Sequence, residues 1–320
     1  MNSSATPESD LGETDSTNEQ DKPSGLSSWA PAEKMTDENL SRLTQEYNLQ
    51  SVGLRPKVGD YLHQMWERRY FALELSRARE ESGNSESRLG KAWTLLNPLL
   101  NTAVYFLVFG YIFKGHRAIP NYLAFLVIGV FFFTYTQKSI QEGARSIVAN
   151  MNLVRALHFP RALLPVAVAI EQLLALGPAL IVSIVIVLIT GEGVSWTWLL
   201  LPIAITLQTM FNLGVMFTLA RLTEKVRDVS QLLPFVLRTW LYLSGVVFPL
   251  QPLTKSAPGW AAFLLTFNPG AVFVEIARDC LLTSYSVPPI IWAYAIFWAT
   301  VGLTTGFIYF YKAEERYGRG

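Results

Sequence analysis

Residues 163–190 read LLPVAVAIEQLLALGPALIVSIVIVLIT, and Glu171 is their only charged residue. About 20 apolar residues in a helix cross the hydrocarbon core of a bilayer, with every backbone polar group satisfied inside the helix. Further apolar runs of this kind lie at 92–113, 122–136, 198–222, 232–250 and 290–311. The sequence therefore predicts an all-α, polytopic membrane protein with six transmembrane helices.

The composition supports a membrane protein. Hydrophobic residues make up 51% of the chain and charged residues 16%, whereas an ordinary soluble domain has about 25% charged residues. The net charge of +1 gives no indication of a nucleic-acid partner. Because Cys280 is the single cysteine, an intrachain disulfide and a cysteine-based metal cluster are both excluded.

Basic residues concentrate in alternate loops. They precede the first run and follow the second, fourth and sixth: Arg77, Arg79, Arg88, Lys91, Lys138, Arg145, Arg155, Arg161, Arg221, Lys225, Arg227, Lys312, Arg316 and Arg319. The other loops hold only Lys114, Arg117, Lys255 and Arg278. The positive-inside rule then predicts that both termini are cytosolic.

The chain before residue 92 divides into two parts. Residues 1–54 are rich in Ser, Thr, Glu, Asp and Gln and predict a disordered cytosolic tail. Within 55–91, apolar residues recur at helical spacing among arginines: Leu62, Met65, Trp66, Tyr70 and Leu73. This pattern predicts an amphipathic interfacial helix followed by a linker; a helix packed on a cytosolic domain is the alternative. Residues 92–316 form the predicted six-span domain.

The sequences of two loops predict more structure than a simple turn. The loop after the second run contains a polar stretch, a short helix near 150–159 and a break at Pro160. Between the fifth and sixth runs, the apolar pieces 260–267 and 271–282 flank Asn268-Pro269-Gly270 and are too short to span. We expect these two pieces to be re-entrant helices on the outer side. Long loops of this kind are functional or disordered.

Several short motifs carry a family resemblance. They are SRLGKAWTLLNP at 87–98, NLV at 152–154 with HFPR at 158–161, VRDV at 226–229, and NP at 268–269. In their order along the spans, they resemble the membrane subunit of polysaccharide-exporting ABC transporters, the group that contains O-antigen, teichoic-acid and capsule export permeases. The resemblance covers residues 59–316.

The resemblance implies a multi-pass permease of the bacterial inner membrane. Two copies would form a pore with two nucleotide-binding ATPase subunits. The chain lacks a G-x-x-x-x-G-K-[ST] phosphate loop, so ATP and Mg would bind the partner ATPase, and no cofactor is expected in this chain. The implied ATPase-coupling residues are Asn152, Leu153, Val154, Arg155, Phe159, Pro160, Arg161, Arg227 and Asp228; those of the outer gate are Asn268, Pro269, Glu275 and Arg278.

The expected cargo is a lipid-linked glycan. Arg88 and Lys91 are candidates for binding its diphosphate head group. Aromatic residues of the pore-lining spans are candidates for gliding contact with sugars: Trp93, Tyr105, Tyr111, Phe132, Tyr135, Trp240 and Tyr242. Such residues also form interfacial belts or face membrane lipids. Together with the family motifs, the acidic, Ser-rich N-terminal extension resembles permeases that export the galactan precursor of arabinogalactan, and this resemblance implies that cargo.

Charged residues inside the apolar segments have candidate partners. Glu171 and Arg238 would share the cytosolic half of the membrane, and Glu275 would lie beside Arg278 or Asp279 on a helix. An alternative function is a drug or simple-lipid ABC exporter. A membrane-embedded glycosyltransferase is a weaker alternative, since no D-x-D motif occurs and the three histidines are scattered.

Overall fold

The structure is a computed structural model that describes residues 57–84, 92–112, 119–314 and 317. Within these ranges all regular secondary structure is helical, without strands. The predicted all-α class is confirmed. The predicted tail at 1–54, Arg88 and Lys91 lie outside the described residues.

Twelve α-helices are present in the described residues. They are α1 Val58–Glu67, α2 Arg69–Asn84, α3 Ala92–Tyr105, α4 Tyr122–Ala149, α5 Met151–Ala156, α6 Leu163–Ile189, α7 Leu201–Lys225, α8 Val229–Leu243, α9 Gln251–Ser256, α10 Gly259–Phe267, α11 Pro269–Leu281 and α12 Ile290–Tyr311. A π-helical segment, Phe106–Ile112, continues α3, and a 3₁₀ turn, Trp196–Leu200, leads into α7.

Four of these helices are long and apolar enough to cross a membrane: α4, α6, α7 with its 3₁₀ turn, and α12. The pair α10–α11, bent by 66°, would be a fifth if counted as one span. Helices α3 and α8 are shorter and carry internal prolines, Pro98 and Pro234. The protein is therefore an integral membrane protein, whereas six spans remain a prediction.

Three predicted boundaries differ from the structure. The polar stretch after residue 136 is not a loop but the second half of α4, because Ser139, Gly143 and Ile147 recur every four residues on its buried face. Helix α8 ends at Leu243 rather than near 250, since Gly245 turns the chain with φ at +63°. The amphipathic segment forms two helices, which meet at Arg68.

Helices α1 and α2 have both a packed and an open face. Tyr61 and Ala72 are buried against the bundle, whereas Trp66 and Tyr70 are exposed, Trp66 by 69%. In the predicted apolar stripe, Met65 packs against the bundle, whereas Leu62, Trp66 and Tyr70 are exposed. Its aromatic side chains remain accessible to a lipid interface, where Trp and Tyr are enriched.

The core is centred on α4. Its fully buried phenylalanines, Phe125, Phe132 and Phe133, form one cluster with side chains of α7, α11 and α12. The bundle around α4 has two ends, which we call the basic end and the opposite end. The basic end carries Arg79, Arg161 and Lys225, and the opposite end carries Glu192.

Helices α7 and α12 approach each other at glycines. A Cβ atom on Gly306 would clash with the backbone of Gly214, and one on Gly214 with the backbone of Gly302. Small residues of this kind let membrane helices pack closely. The pairing of α7 with α12 therefore depends on the absence of side chains at these positions.

We expect Gly306→Ala to destabilise the protein by about 1–3 kcal/mol, because the backbone of α7 cannot yield as a side chain would. Thermal unfolding of the purified protein in detergent measures the change. The matched control is Gly177→Ala in α6, where a Cβ atom meets nothing within 4 Å and helix propensity favours alanine. Equal melting temperatures for Gly306→Ala and Gly177→Ala would contradict the close approach.

Candidate functional site

A buried arginine fastens α11 to two other segments. The guanidinium of Arg278 is fully buried. Its Nη2 donates to the carbonyl of Val246 at 2.7 Å, its Nη1 to that of Gly245 at 3.0 Å, and its Nε to that of Phe125 at 3.2 Å. The guanidinium carbon lies 3.4 Å from the centre of the Phe125 ring. We call this set of contacts the Arg278 clamp.

The charge of Arg278 is balanced from its own helix. Oε1 of Glu275, three residues earlier, accepts from Nη1 of Arg278 at 3.2 Å, which agrees with the neighbour relation predicted for these residues. The other carboxylate oxygen of Glu275 accepts from the hydroxyl of Tyr285. An uncompensated charge at membrane depth costs several kcal/mol. The pair therefore places a satisfied charge inside the bundle.

Asn268 caps α11 and marks the bend of the α10–α11 pair. Its Oδ1 accepts from the backbone N–H of Gly270 at 3.0 Å and from the indole of Trp240 at 2.7 Å. Its amide also donates to the carbonyl of Leu243 at 3.0 Å. Pro269 occupies the first helical turn, where its missing N–H costs nothing. Asn268 thus joins the bend to the last turn of α8.

Glu192 joins three segments at the opposite end through hydrogen bonds. Its carboxylate accepts from the hydroxyls of Thr283 and Ser284, each at 2.6 Å, and from the amide of Asn121 at 3.4 Å. Burial raises the pKa of Glu192, but these hydrogen bonds outweigh it and hold the pKa below its ordinary value. The sequence contained a weak signal for this role: a lone acid in the turn GEGVSW.

A second carboxylate joins three segments at the basic end. Glu314 accepts from the hydroxyl of Tyr61 at 2.8 Å and from the backbone N–H of Arg161 at 3.0 Å, and its carbonyl accepts from the guanidinium of Arg161. The Tyr61 oxygen also accepts from the N–H of Ala162 at 3.1 Å. Burial, and then the charge of Glu314, raise the pKa of Tyr61. We call this set the Glu314 hub; no pattern in the sequence pointed to Tyr61 or Glu314.

Arg79 ties α2 to the spans. Its Nε donates to Glu171 of α6 at 2.8 Å, and its Nη2 lies 3.7 Å from Glu142 of α4. The predicted pairing of Glu171 with Arg238 is therefore wrong. Burial of Glu171 is offset by a cation from the amphipathic segment, which lies outside the predicted spans.

The candidate coupling residues lie at the basic end. In α5, Asn152 and Arg155 are exposed, while Val154 is buried and holds the helix to the bundle. After the break, the ring of Phe159 lies 5.0 Å from that of Phe71, and Pro160 is buried. Leu153 and Arg161 are partly buried, and Arg227 and Asp228 are exposed just before α8. The exposed members can contact a partner protein, whereas the buried members position them.

The aromatic candidates fall into two groups. Tyr111 is 81% exposed, Trp93 and Tyr242 are also exposed, and Tyr105 lies edge-on to Tyr242 at 6.4 Å. The contact of Tyr105 with Tyr242 joins α3 to α8, whereas Tyr111 lies in the π-helical segment after α3 and lines a cavity beside α4 and α6. Trp240 is half-buried in its bond to Asn268.

Two aromatic candidates are placed differently from the prediction. Phe132 is 0% and Tyr135 4% exposed, since both pack inside the protomer, and the hydroxyl of Tyr135 is hydrogen-bonded to that of Thr209 at 2.7 Å. Neither can line a channel at the protein surface, which corrects the prediction for these two residues. Buried and exposed aromatic residues in a membrane helix look alike in sequence.

The chain is similar in sequence to known membrane proteins of transporters. The family described as ABC-2 type transporter matches residues 84–282. The O-antigen export system permease protein RfbA of Klebsiella pneumoniae is 27% identical over 223 residues, 68% of this chain and 83% of that protein. RfbA of Myxococcus xanthus is 25% identical over 208 residues, 65% of this chain and 78% of that protein. The polysialic acid transport protein KpsM of Escherichia coli is 25% identical over 247 residues, 76% of this chain and 93% of that protein.

Tyr61→Phe removes the hydroxyl that joins Glu314 to Ala162. We expect a loss of about 1–3 kcal/mol, because a buried carboxylate oxygen and a buried N–H lose their partner. Thermal unfolding and the rate of proteolysis within α1 report the change. Tyr70→Phe is the control, since the Tyr70 side chain is exposed. The hub is refuted if both variants behave like the unmodified protein.

Glu192→Gln tests the carboxylate at the opposite end. The lowered pKa means that Glu192 stabilises the fold above the ordinary glutamate pKa of about 4.3, and that this contribution is lost as the pH falls through its folded value. We expect a deficit of roughly 1–3 kcal/mol at pH 7 that shrinks in acid. Melting temperatures across pH measure it, with exposed Glu74→Gln as control. A deficit independent of pH would exclude the charge as its cause.

Proposed function

Because this chain belongs to the ABC-2 type transporter membrane family, we propose that it is the membrane subunit of an ATP-driven exporter of a polyprenyl-diphosphate-linked polysaccharide. Relatives matched over most of their length bear the names of O-antigen export permeases and a polysialic acid transport protein. The chain is thus a permease of the polysaccharide-export type. Export would run from the cytosolic to the outer face of the inner membrane.

The proposed topology has six spans and both termini in the cytosol. Helices α3 and α8 are the first and fifth spans, each extended by flanking segments or by local thinning of the bilayer, which short spans permit. The basic end is cytosolic by the positive-inside rule. Exposed Trp66 and Tyr70 of α1 and α2 lie in the membrane interface. The bent pair α10–α11 is re-entrant from the outer side.

The proposed assembly contains two copies of this chain and two ATPase subunits. Members of the family work with a nucleotide-binding subunit, and ATP and Mg would bind there. Trp93 and Tyr105 of α3 and Tyr242 of α8 would line a channel between the copies, and Tyr111 of the π-helical segment would lie at its edge. Rings of this kind offer apolar faces to sugar C–H groups and hydroxyls to sugar oxygens.

The observation that carries this proposal is the family match together with the position of α5. The short helix begins after the end of α4 and exposes Asn152 beside the Glu314 hub, which joins α1, the segment before α6 and the end of α12. Closure of the ATPases would press on α5 and displace these segments as a unit. At the other end, the Arg278 clamp and Asn268 would hold the outer gate until the spans move.

The cargo can be proposed more narrowly. We propose the galactan precursor of arabinogalactan, because the family match and the acidic, Ser-rich N-terminal extension together resemble permeases that export it. Arg88 and Lys91, which precede α3 in sequence, would attract the diphosphate head group.

Purification of the tagged full chain from membranes tests the exporter. We expect an ATPase with a phosphate loop in equal amount, and a polyprenyl-linked glycan by mass spectrometry of bound lipids. Recovery of the chain with neither would reject the exporter, and recovery with a drug or simple lipid would establish the alternative cargo.

Arg227→Glu tests the coupling surface. We expect at least a tenfold loss of ATPase recovery, because an exposed cation at the basic end would become an anion. Quantitative copurification measures it, with membrane content of the chain measured in parallel. Lys255→Glu, the same charge change on exposed α9, is the matched control. Equal recovery with the two variants would remove Arg227 from the coupling surface.

A further inference from the structure

Arg238 of α8 is a cation whose charge is not balanced within the protomer. Its side chain is exposed. Within residues 57–84, 92–112, 119–314 and 317, no carboxylate lies within ion-pair distance of its guanidinium. Glu171, the partner expected from the sequence, is paired with Arg79 at 2.8 Å. The charge of Arg238 must therefore be met by water or by another molecule.

The packing of α8 places Arg238 at membrane depth. Leu237 packs in a cluster with Ile140 of α4, and the ring of Trp240 lies 5.6 Å from that of Phe133. Arg238 is thus level with residues 133–140 of α4, which is long and apolar enough to cross a membrane. Phe133 lies about 17 Å from the start of α4, near the middle of a hydrocarbon core about 30 Å thick. A charged group at this depth faces a bundle interior or water rather than lipid.

Helix α8 has two different exposed faces beside its buried one. The buried face consists of Leu233, Leu237 and Leu241, which recur every four residues. One exposed face is apolar and suits lipid; its residues are Leu232, Val236 and Leu243. The other carries the polar side chains at helical spacing, and we call it the Arg238 stripe; its residues are Gln231, Phe235, Arg238 and Tyr242. Such a division between an apolar and a polar face indicates lipid on one side and water on the other.

The Arg238 stripe adjoins α3. The ring of Tyr242 lies 6.4 Å from that of Tyr105, and Arg238 is close enough for its charge to act on the Tyr105 hydroxyl. Helix α3, residues 92–105, contains no charged residue, and Arg238 is the single charged residue of α8. The surface shared by these two helices therefore has one charge at membrane depth, and it is positive.

We propose that Arg238 is the charge-selecting residue of the channel between two copies of the chain, where it favours neutral and anionic groups and opposes cations. The proposal rests on the proposed function, which supplies the channel. Each copy would contribute one arginine, and low-dielectric walls strengthen the field of such charges. A positive charge in a pore excludes cations, protons included. The channel could then open for a glycan without dissipating the cation gradients of the membrane.

The proposal also restricts the cargo. A carboxylate or phosphate group on a passing glycan would accept charge-assisted hydrogen bonds from the guanidinium of Arg238. A neutral sugar would pass the same point through contacts with Tyr105 and Tyr242. A glycan with free amino groups would meet two like charges at membrane depth, where repulsion is strong. The expected cargo is therefore neutral or acidic, and never basic.

Cysteine labelling of the full chain in open membrane fragments tests the charge of the stripe. The probes are two water-soluble thiol reagents of similar size, one with a sulfonate and one with a trimethylammonium group, and each rate is divided by that with a small free thiol. Native Cys280 is buried, so the unmodified chain gives the background. We expect Phe235→Cys to react, and to favour the anionic reagent. Val236→Cys, at the same depth on the apolar face, is the matched control and should not react.

Removal of the charge then gives the decisive comparison. In the Phe235→Cys chain, we expect Arg238→Gln to lower the ratio of anionic to cationic rates about tenfold, because positions three residues apart lie about 5–6 Å from each other and the two reagents respond in opposite directions. Arg238→Lys, which keeps the charge, should preserve the ratio. A structural role of the side chain would not produce this dependence on the charge of the reagent.

Three outcomes would overturn the proposal. Equal labelling of Phe235→Cys and Val236→Cys, or labelling of neither, would remove the aqueous face of α8. A ratio unchanged by Arg238→Gln would remove the selection by charge. The same would follow if Arg238→Lys lowered the ratio as much as Arg238→Gln. Labelling needs neither ATPase nor cargo, so absence of an ATPase in the purification bears on the exporter alone.

Discussion

Backbone groups inside a bilayer must find partners within the protein, and the break after α8 leaves carbonyls that no helix satisfies. Arg278 meets this requirement by donating to the carbonyls of Gly245, Val246 and Phe125. A guanidinium suits this position because its several N–H groups point in fixed directions. The same contacts fasten α11 to α4, so the bent helix pair, the end of α8 and the central helix are positioned by one side chain.

Two carboxylates each join several segments of the chain, one at each end of the bundle. Glu192 gathers the loops of the opposite end, and Glu314 gathers the segments of the basic end. Each accepts several hydrogen bonds, which makes its burial favourable. Between these two points the helices pack through apolar side chains, and the seam of α7 with α12 uses glycines instead. Polar contacts therefore join the segments at the two ends, and between them apolar packing is supplemented by interior hydrogen bonds such as that of Tyr135 with Thr209.

Sequence patterns predicted the helix class and the bounds of α6 and α12 closely, because long apolar runs have few alternatives. They failed where burial inside protein and burial in lipid look alike. The second half of α4 is polar enough to resemble a loop, yet Ser139 and Gly143 pack inward. Phe132 was indistinguishable from a channel residue. The partners of Glu171 and Glu314 lie 92 and 153 residues away in the chain, a distance that no local pattern reports.

Helix α4 has a mechanical consequence. It contains 28 residues without a proline, whereas α3, α6 and α8 have interior prolines at Pro98, Pro178 and Pro234. Prolines are the common positions at which helices kink. One end of α4 carries Phe125, held by Arg278, and the other adjoins α5, so α4 acts as a stiff lever. A push on α5 would pass along α4 to the end that carries the Arg278 clamp, without a proline kink to absorb it.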